Sequence, residues 1–385
     1  MSNRLFKGTR NPSRIIPERL KEAREARGYT LESFAEALQV TRQALAQFET
    51  GQTMPSSATM GRIVGLTTQP LVFFMVPSGR SSDDLRPFWR SLKRMEDHHR
   101  RRISRRLQWT MDVAEYVSRF IELPEIRLPT TDIDPDRLTD EDIENAAMAV
   151  RDIWRLGRGP AHRLVPHFED NGIVVVREPV GCEDMDAVSC WQAGRPFVLL
   201  SSEAVSGPRD AYNLAHELGH LVLHSGAAVD SRNLDRLEKQ ANRFAGAFLL
   251  PAETFSKEIF GTSIEYFKLL KKRWGVSIAA MAYRCRDLGL LSKNQHVYLI
   301  RQMNALRIRE VEPLDDAFEA GAPSILSESL KMLVEAGVQT RAQIREALAV
   351  NPDDLESICG TQPGFLSERV IHLPRKLRMR PGNEA

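Results

Sequence analysis

The chain is poor in cysteine and has no long apolar run. Its 385 residues include four cysteines, and none of them belongs to a CxxC pair: Cys182, Cys190, Cys285 and Cys359. This scatter excludes a disulfide scaffold and a cysteine zinc cluster, and it favours the reducing cytoplasm. No apolar stretch approaches the ~18 residues of a membrane span, and the N-terminus lacks the apolar core of a signal peptide. We therefore expect a soluble, cytoplasmic protein without a membrane partner.

A large net charge is also absent, but the charge is unevenly distributed. The whole chain has a formal charge of +2. Residues 1–130 carry 22 Lys and Arg against 14 Asp and Glu, a net of +8, and the remainder carries 31 against 37, a net of −6. A basic front joined to an acidic rear is typical of a DNA-binding module fused to something else. The densest basic run, residues 98–106, either contacts phosphates or forms a solvated helix face.

The stretch 216–220 reads His-Glu-Leu-Gly-His and is the most informative part of the sequence. On a helix, His216 and His220 are four residues apart, so both imidazoles project from one face and can share one metal ion. Glu217 lies beside them, where it can take a proton from a water that the metal activates. The alternative is two histidines packed or solvated on an ordinary helix.

Two imidazoles leave a zinc ion short of protein ligands, so a third ligand is needed. His224 continues the four-residue spacing, but it lies roughly 12 Å along the helix axis from His216, too far for both to bind one ion. Glu238 is the better candidate, because it falls within the apolar stripe of another predicted helix. A carboxylate on a buried face must be paired or coordinate a metal, and the alternative partners of Glu238 are Arg209 and Arg243.

Two imidazoles and one carboxylate predict a catalytic site with an open fourth position. Water there would have its pKa drawn toward neutral, and Glu217 would accept its proton and pass it to the leaving amine of a peptide. Tyr212 and His224 are candidates for holding the metal ligands in place or for stabilising the oxyanion.

Near the other end of the chain, residues 15–66 contain a run of short amphipathic helices. Thr30 is placed to cap a helix over 31–38, and Thr41 is placed to cap a helix over 42–49. Two short helices joined by a tight turn form a helix-turn-helix, whose second helix can enter the major groove of DNA. The alternative is a generic helical hairpin with a polar outer face.

The second of these helices has one apolar and one polar side. Leu45 and Phe48 are three residues apart and are expected to face inward. Arginine pairs with guanine and glutamine with adenine, so the polar side suits base edges. The expected DNA-contacting residues are Thr41, Arg42, Gln43, Ala46 and Gln47.

The remaining pattern predicts a mainly α-helical protein with a small β-sheet, an α+β fold. Short apolar runs predict strands at 172–176, 186–191 and 196–200, with one strand of the resulting hairpin at the sheet edge. A further short strand is expected at 296–301. Helical patterns are found at 87–122, 140–156, 160–170, 252–292 and 313–372. The expected division is a helix-turn-helix domain at 14–78, a helical linker at 79–130, a metallopeptidase domain at 137–300 and a helical C-terminal region at 301–385.

Residues 15–75 resemble the XRE/Cro-type helix-turn-helix of phage repressors. The resemblance is carried by the cap Thr30, the turn Val40-Thr41-Arg42, and Phe48-Glu49-x-Gly51 with Pro55. Ala46 stands where serine is common. The resemblance implies a double-stranded DNA operator, and two half-sites would need a homodimer.

Residues 139–292 resemble the ImmA/IrrE family of metallopeptidases, which implies a zincin-like domain. The resemblance is carried by Ala215-His216-Glu217-Leu218-Gly219-His220-Leu221-x-Leu223-His224, Glu238-x-x-Ala241-Asn242-x-Phe244-Ala245, Leu249-Leu250-Pro251 and Asp186-Ala187-x-Ser189. It implies that zinc, or in some members manganese, is bound by His216, His220 and Glu238, with Glu217 catalytic. It also implies that the substrate is a repressor or another regulatory protein.

Three functions fit these patterns, in this order. The first is a DNA-bound, metal-dependent endopeptidase that cleaves itself or a partner repressor. The second is a transcriptional repressor, or antitoxin-like regulator, whose metal site is structural or sensory. The third is an enzyme whose helix-turn-helix binds only protein.

Overall fold

A computed structural model describes residues 15–78, 95–129, 133–182, 185–203, 206–225, 233–309 and 311–367. Within these ranges the fold is the predicted one, mainly helical with a single three-stranded sheet. No helix in the described ranges has the length and apolar character that crossing a bilayer requires. The four cysteines are all free.

The N-terminal part is a bundle of four short helices, namely α1 (Pro17–Ala26), α2 (Leu31–Ala37), α3 (Arg42–Glu49) and α4 (Ser57–Thr67). The caps are those that the sequence predicts. The Thr30 side chain accepts from the backbone of Ser33 at the start of α2, and the Thr41 side chain accepts from Ala44 at the start of α3. Leu45 is fully buried and Phe48 packs partly buried against the same core, so α3 turns its apolar side inward as expected.

The long helix α5 (Asp97–Val117) follows. The first part of the helix expected at 87–122 lies outside the described residues. After α5 come α6 (Asp140–Ile153) and α7 (Leu164–Asp170). The expected start of α7 at residue 160 is wrong. Arg163, just before α7, has a φ of +53°, which is not helical. The Arg151 guanidinium donates hydrogen bonds to the carbonyls of Gly157 and Gly159, so the chain between α6 and α7 is a loop.

The sheet consists of β1 (Val174–Glu178), β2 (Ala187–Gln192) and β3 (Arg195–Ser201), in the order β1-β3-β2. β2 and β3 form the predicted antiparallel hairpin, and β1 runs parallel to β3. β2 is therefore an edge strand, as the prediction of one hairpin strand at the edge requires.

Helices again dominate after the sheet. They are α8 (Gly207–Leu223), α9 (Leu234–Leu249), α10 (Ala252–Phe255), α11 (Ile264–Trp274), α12 (Ile278–Asp287) and α13 (Lys293–Ala305). The strand expected at 296–301 is wrong, because this stretch lies inside α13. Ser292 and Gln295 form a reciprocal capping box, and His296, Leu299 and Met303 are buried at helical spacing. The β-branched residues near Val297 suggested a strand, but the cap and the helical apolar stripe outweigh that preference.

The C-terminal region forms α14 (Ile325–Glu335), α15 (Arg341–Leu348) and α16 (Pro352–Cys359). α15 and α16 are two short helices joined by a turn, and both lie within the stretch 313–372 for which the sequence predicts helices. Most of α16 is buried, including Leu355, Ile358 and Cys359.

The sheet separates two apolar cores, because alternate strand residues face opposite sides. Val175, Val198 and Leu200 join the core that contains α6–α9, α11 and α12. Val176 and Leu199 join the other core, which contains the N-terminal bundle, α5 and α14–α16. The helix-turn-helix thus shares a core with α5, the C-terminal helices and one face of the sheet.

The basic run at 98–106 is divided: residues 98–102 are exposed or half-buried, as a solvated helix face would be, whereas Arg105 and Arg106 point inward. Arg105 donates a hydrogen bond to Glu25 of α1 at 2.9 Å. Arg106 donates one to Asp354 of α16 at 2.7 Å and also pairs with Glu178 of β1. Both arginines are almost fully buried. These two arginines therefore join the N-terminal bundle to the sheet and to α16.

Candidate metal centre

Helix α8 carries the His-Glu-Leu-Gly-His stretch along its buried side. His216 is 1% exposed and His220 is 2% exposed, and their Nε2 atoms lie 3.1 Å apart. Four-residue spacing on a helix places both rings on one face, so the local sequence alone accounts for their convergence. Of the alternative, two histidines packed or solvated on an ordinary helix, the solvated form is wrong, because both rings are buried.

Glu238 of α9 completes the cluster. One carboxylate oxygen lies 3.4 Å from His216 Nε2 and the other lies 3.3 Å from His220 Nε2. The alternative pairing of Glu238 is wrong, because Arg209 pairs with Asp186 and Arg243 pairs with Asp140 and Glu144. Within the described residues, these three side chains are the one group of His, Cys, Asp and Glu whose ligand atoms lie within 4.8 Å of one another.

The close approach of α9 depends on a glycine in the motif. A Cβ at Gly219 would lie 3.1 Å from Ala241 Cα and 3.2 Å from Phe244 Cβ, both on α9. These distances are tighter than ordinary van der Waals contact, so any larger residue would push the two helices apart. Gly219 thereby brings the Glu238 carboxylate within reach of the two imidazoles.

The three side chains fit a divalent metal ion. Ligand bonds of about 2.0–2.2 Å in a tetrahedral arrangement place neighbouring ligand atoms roughly 3.3 Å apart, close to the separations observed here. Burial alone would raise the pKa of Glu238, but the hydrogen bonds and charges of His216 and His220 outweigh it and hold the pKa well below its usual range. Glu238 is therefore a carboxylate, as a metal ligand must be.

His216 is held by a polar pair on the side facing away from the cluster. Its Nδ1 lies 3.2 Å from Asn242 Oδ1, which also accepts a hydrogen bond from the Tyr212 hydroxyl at 2.8 Å. The Asn242 amide donates in turn to the carbonyl of Glu238 at 2.8 Å. Tyr212 thus acts on His216 through Asn242.

His220 is held by a longer, buried chain. Its Nδ1 lies 3.0 Å from His224 Nδ1, and His224 Nε2 lies 3.0 Å from Gln240 Oε1. Gln240 then donates to the carbonyl of Pro135 at 2.7 Å. His224 has no exposed surface, and burial together with the charge of His220 lowers its pKa to about 3. Both ring nitrogens of His224 are used within this chain, which fits the expected role of holding a ligand in place rather than that of contacting an oxyanion.

Glu217 is positioned by the sheet. It is 2% exposed, and one carboxylate oxygen accepts a hydrogen bond from the Ser189 hydroxyl at 2.6 Å. Ser189 lies on β2, the edge strand, and faces α8. The edge of the sheet and the Glu217 carboxylate therefore lie side by side.

A cleft of about 1,020 Å³ lies next to the cluster. Its lining includes Tyr212 and Asn242, which hold His216, and also Asp186 at the start of β2 and Tyr283 on α12. The volume matches the upper end of the range of about 300–1,000 Å³ that small-molecule sites occupy. The cleft therefore has room for a side chain or a short peptide segment.

The residues expected to contact DNA lie on one side of α3. Thr41, Arg42 and Gln43 are exposed, and Ala46 and Gln47 are half-buried. The N-terminal turn of α3 is therefore accessible.

Three residues around the metal cluster were not recognised as functional from the sequence. Asn242 follows Glu238 by four residues, a spacing that places both on one helix face. Ser189 is a lone hydroxyl in an otherwise apolar strand, which was a usable signal. Gln240 gave no usable signal, because its partners His224 and Pro135 lie on other elements.

The family comparisons agree with both parts of the fold. Residues 20–67 match a family model described as helix-turn-helix, and residues 168–286 match one described as the IrrE N-terminal-like domain, peptidase family M78. No curated protein matches the chain. The M78 match includes His216, Glu217, His220 and Glu238, and the helix-turn-helix match includes all of α3. The chain thus joins a helix-turn-helix DNA-binding domain to a domain of peptidase family M78.

Proposed function

We propose that the protein is a DNA-binding transcriptional regulator whose M78 domain is a metal-dependent endopeptidase. The observation that carries the proposal is the convergence of His216, His220 and Glu238, with Glu217 next to them on the same helix. Structural zinc sites have four protein ligands, whereas sites with three keep a position for water. Three protein donors therefore favour catalysis over a purely structural site.

The chemistry follows from what each side chain can do. A divalent ion, zinc or manganese, would polarise the scissile carbonyl and lower the pKa of a water. Glu217 takes a proton and returns it to the leaving amine, and the Ser189 hydroxyl holds its carboxylate in place for both transfers. Val188, Ser189 and Cys190 of the edge strand β2 are fully buried, so a peptide substrate would enter through the neighbouring cleft. Tyr212 lines this cleft and is the remaining candidate for contacting the oxyanion, to which its hydroxyl would donate in place of Asn242.

The two domains suggest the partners. Thr41, Arg42, Gln43, Ala46 and Gln47 would contact an operator in double-stranded DNA, bound as a homodimer. The protein substrate would be a repressor or another regulatory protein in the cytoplasm. The proposed domain boundaries are 14–78, 79–130, 137–300 and 301–385. The N-terminal bundle, α5 and the C-terminal helices share one apolar core across these boundaries.

The test compares wild type with Glu217→Gln, which keeps the shape of the side chain and removes the base. Both proteins are incubated with the products of the neighbouring genes, and cleavage of these products or of the chain itself is followed by intact-mass spectrometry. We expect Glu217→Gln to bind metal and duplex DNA as wild type does and to cleave nothing. His216→Ala should lose both metal and cleavage, while His98→Ala, on α5 away from the cluster and the cleft, should lose neither.

Two results would contradict the proposal. Cleavage by Glu217→Gln at the rate of wild type would exclude Glu217 as the base. Metal binding and repression without any cleavage by wild type would favour a structural or sensory metal site. A third result concerns the DNA-binding domain alone. If the double variant Arg42→Ala, Gln47→Ala regulates normally, and wild type shows no salt-dependent binding to duplex DNA, the helix-turn-helix binds protein instead.

A further inference from the structure

We propose that His224 and Gln240 are positioning residues that fix the tautomer of His220 and thereby set the affinity of the site for its metal ion. The inference rests on the proposed metal centre and concerns two residues that donate no ligand atom to it. A metal-binding imidazole must offer one nitrogen with a free electron pair, so the proton has to stay on the other nitrogen. In His220 the nitrogen facing Glu238 and His216 is Nε2.

The direction of the buried chain follows from its far end. The Pro135 carbonyl can only accept, so the Gln240 amide nitrogen donates to it and Gln240 Oε1 is left as an acceptor. Facing that oxygen, His224 Nε2 must carry a proton. The Nδ1 atom of neutral His224 is then an acceptor, and His220 Nδ1 must donate to it. The proton of His220 is thus held on Nδ1, and Nε2 is left with its electron pair.

The part of the chain formed by His224 and Gln240 is also shielded from the solvent that would otherwise compete with it. His224 has no exposed surface, and Gln240 is 7% exposed. Pro135 belongs to the segment before α6, and α6 packs on α9, which carries both Gln240 and Glu238. The same packing therefore fixes the end of the chain and the third ligand.

His216 reaches the same arrangement by a shorter route. Asn242 donates through its amide nitrogen to the Glu238 carbonyl, so its Oδ1 accepts, and His216 Nδ1 must donate to it. Both imidazoles therefore present Nε2 electron pairs to the same point. The Nδ1 proton of His216 is accepted by Asn242, at the cleft. The Nδ1 proton of His220 is accepted by another histidine, His224, whose own tautomer must be fixed, and Gln240 is needed to fix it.

The experiment measures metal affinity in three variants of the full chain. Gln240→Leu removes the group that orients His224, and His224→Phe removes the acceptor for His220. His224→Gln restores an acceptor at nearly the same place. Zinc affinity is measured by competition with a chromophoric chelator, and Co²⁺ is added separately to record its visible absorption as a measure of ligand geometry. We expect Gln240→Leu and His224→Phe to bind zinc roughly 10- to 100-fold more weakly, and His224→Gln to recover most of that loss.

The matched control is Gln108→Leu, the same change at a fully buried glutamine of α5 that lies outside this chain of hydrogen bonds. A merely structural role for Gln240 would give the behaviour of the control, a lower unfolding midpoint with unchanged zinc affinity. Wild-type zinc affinity in folded Gln240→Leu, or His224→Gln as weak as His224→Phe, would overturn the inference and leave the proposed peptidase intact. Absence of zinc and manganese binding in wild type would instead overturn the metal centre itself. If His224→Phe does not fold, Gln240→Leu against Gln108→Leu decides.

Discussion

One carboxylate joins the DNA-binding domain to the rest of the fold, and its removal should be costly. Asp354, in the first turn of α16, is 6% exposed. It accepts hydrogen bonds from Arg27 at 2.8 and 2.6 Å, from Gln69 at 2.7 Å and from Arg106 at 2.7 Å. Arg27 and Gln69 belong to the N-terminal part of the chain, whereas Arg106 lies on α5. We predict that Asp354→Asn, which keeps the shape of the side chain and removes its charge, destabilises the folded protein.

The magnitude follows from what the variant leaves behind. Removing one partner of a buried ion pair costs about 3–5 kcal/mol, because the other charge stays buried. The Arg27 side chain is 24% exposed and can turn toward water, and Arg106 keeps Glu178 as a partner, so the lower end applies. We expect a loss of about 3 kcal/mol, or a fall in the unfolding midpoint of roughly 6–12 °C for a cooperative unit of about 200 residues.

Calorimetry and urea unfolding would measure this loss. The control is Asp353→Asn, the neighbouring residue in the same helical turn, which is exposed and changes the charge equally. Its effect is limited to the interaction with the helix dipole, about 0.3–1 kcal/mol. Equal losses in the two variants, or a loss below about 1 kcal/mol in Asp354→Asn, would refute the role assigned to the buried carboxylate.

The contribution of Asp354 to stability should also depend on pH. Burial alone would raise the pKa of Asp354, but the charge of Arg106 and the hydrogen bond from Arg27 outweigh it and hold the pKa below its ordinary value. A carboxyl whose pKa is lowered on folding stabilises the protein above its unfolded pKa of about 3.9, and this contribution is lost as the pH falls through the folded value. The difference in stability between wild type and Asp354→Asn should therefore be constant roughly between pH 6 and 8 and shrink below about pH 4.

Three further predictions concern the two functional regions. Gly219→Ala adds a Cβ 3.1 Å from α9 and should weaken zinc binding about tenfold or more in a metal titration. The control is Gly65→Ala on α4, where nothing lies within 4 Å of the added Cβ; it should leave zinc binding unchanged and stabilise the fold by about 0.5–1 kcal/mol. Equal zinc affinities in the two variants would argue against the tight contact between α8 and α9. Adding a chelator should lower the unfolding midpoint of wild type but not that of Glu238→Gln, since only a bound ligand stabilises by mass action. Arg42→Ala and Gln47→Ala should each weaken operator binding by about 1–3 kcal/mol in fluorescence anisotropy, and an unchanged affinity in both would exclude base contacts by α3.

The parts of the fold that depend on local sequence were predictable. Thr30 and Thr41 mark helix starts because a hydroxyl satisfies backbone donors three residues on, a relation contained within four residues. The pair His216 and His220 is equally local, because one turn of helix fixes their separation. Glu238 required one inference more, that a carboxylate within an apolar stripe needs a partner.

What failed was the choice between competing local signals and the identity of distant partners. Around residue 297 the β-branched residues favour a strand, whereas the capping box at Ser292 favours a helix, and the helix signal is the stronger one. The arginines of α5 showed a different limit. Their carboxylate partners lie 80, 72 and 248 residues away in the chain, so that no window of sequence could reveal that the charges are used internally. A basic run on an isolated helix looks the same whether it faces phosphate, water or buried carboxylates.

The sheet connects the metal cluster to the ion pairs that anchor the DNA-binding domain. Its residues alternate between two faces, and the two domains use opposite ones. On one face, Ser189 of β2 holds Glu217 at the metal cluster. On the other, Glu178 of β1 pairs with Arg106, which also binds Asp354, the carboxylate that holds Arg27 of the DNA-binding domain. β3 pairs with both outer strands, so three strands separate the base of the proposed peptidase from the ion pairs that anchor the DNA-binding domain. A change that displaces β3, the strand that pairs with both β1 and β2, should therefore disturb both sites, whereas a change confined to α3 or to the cleft should disturb only one.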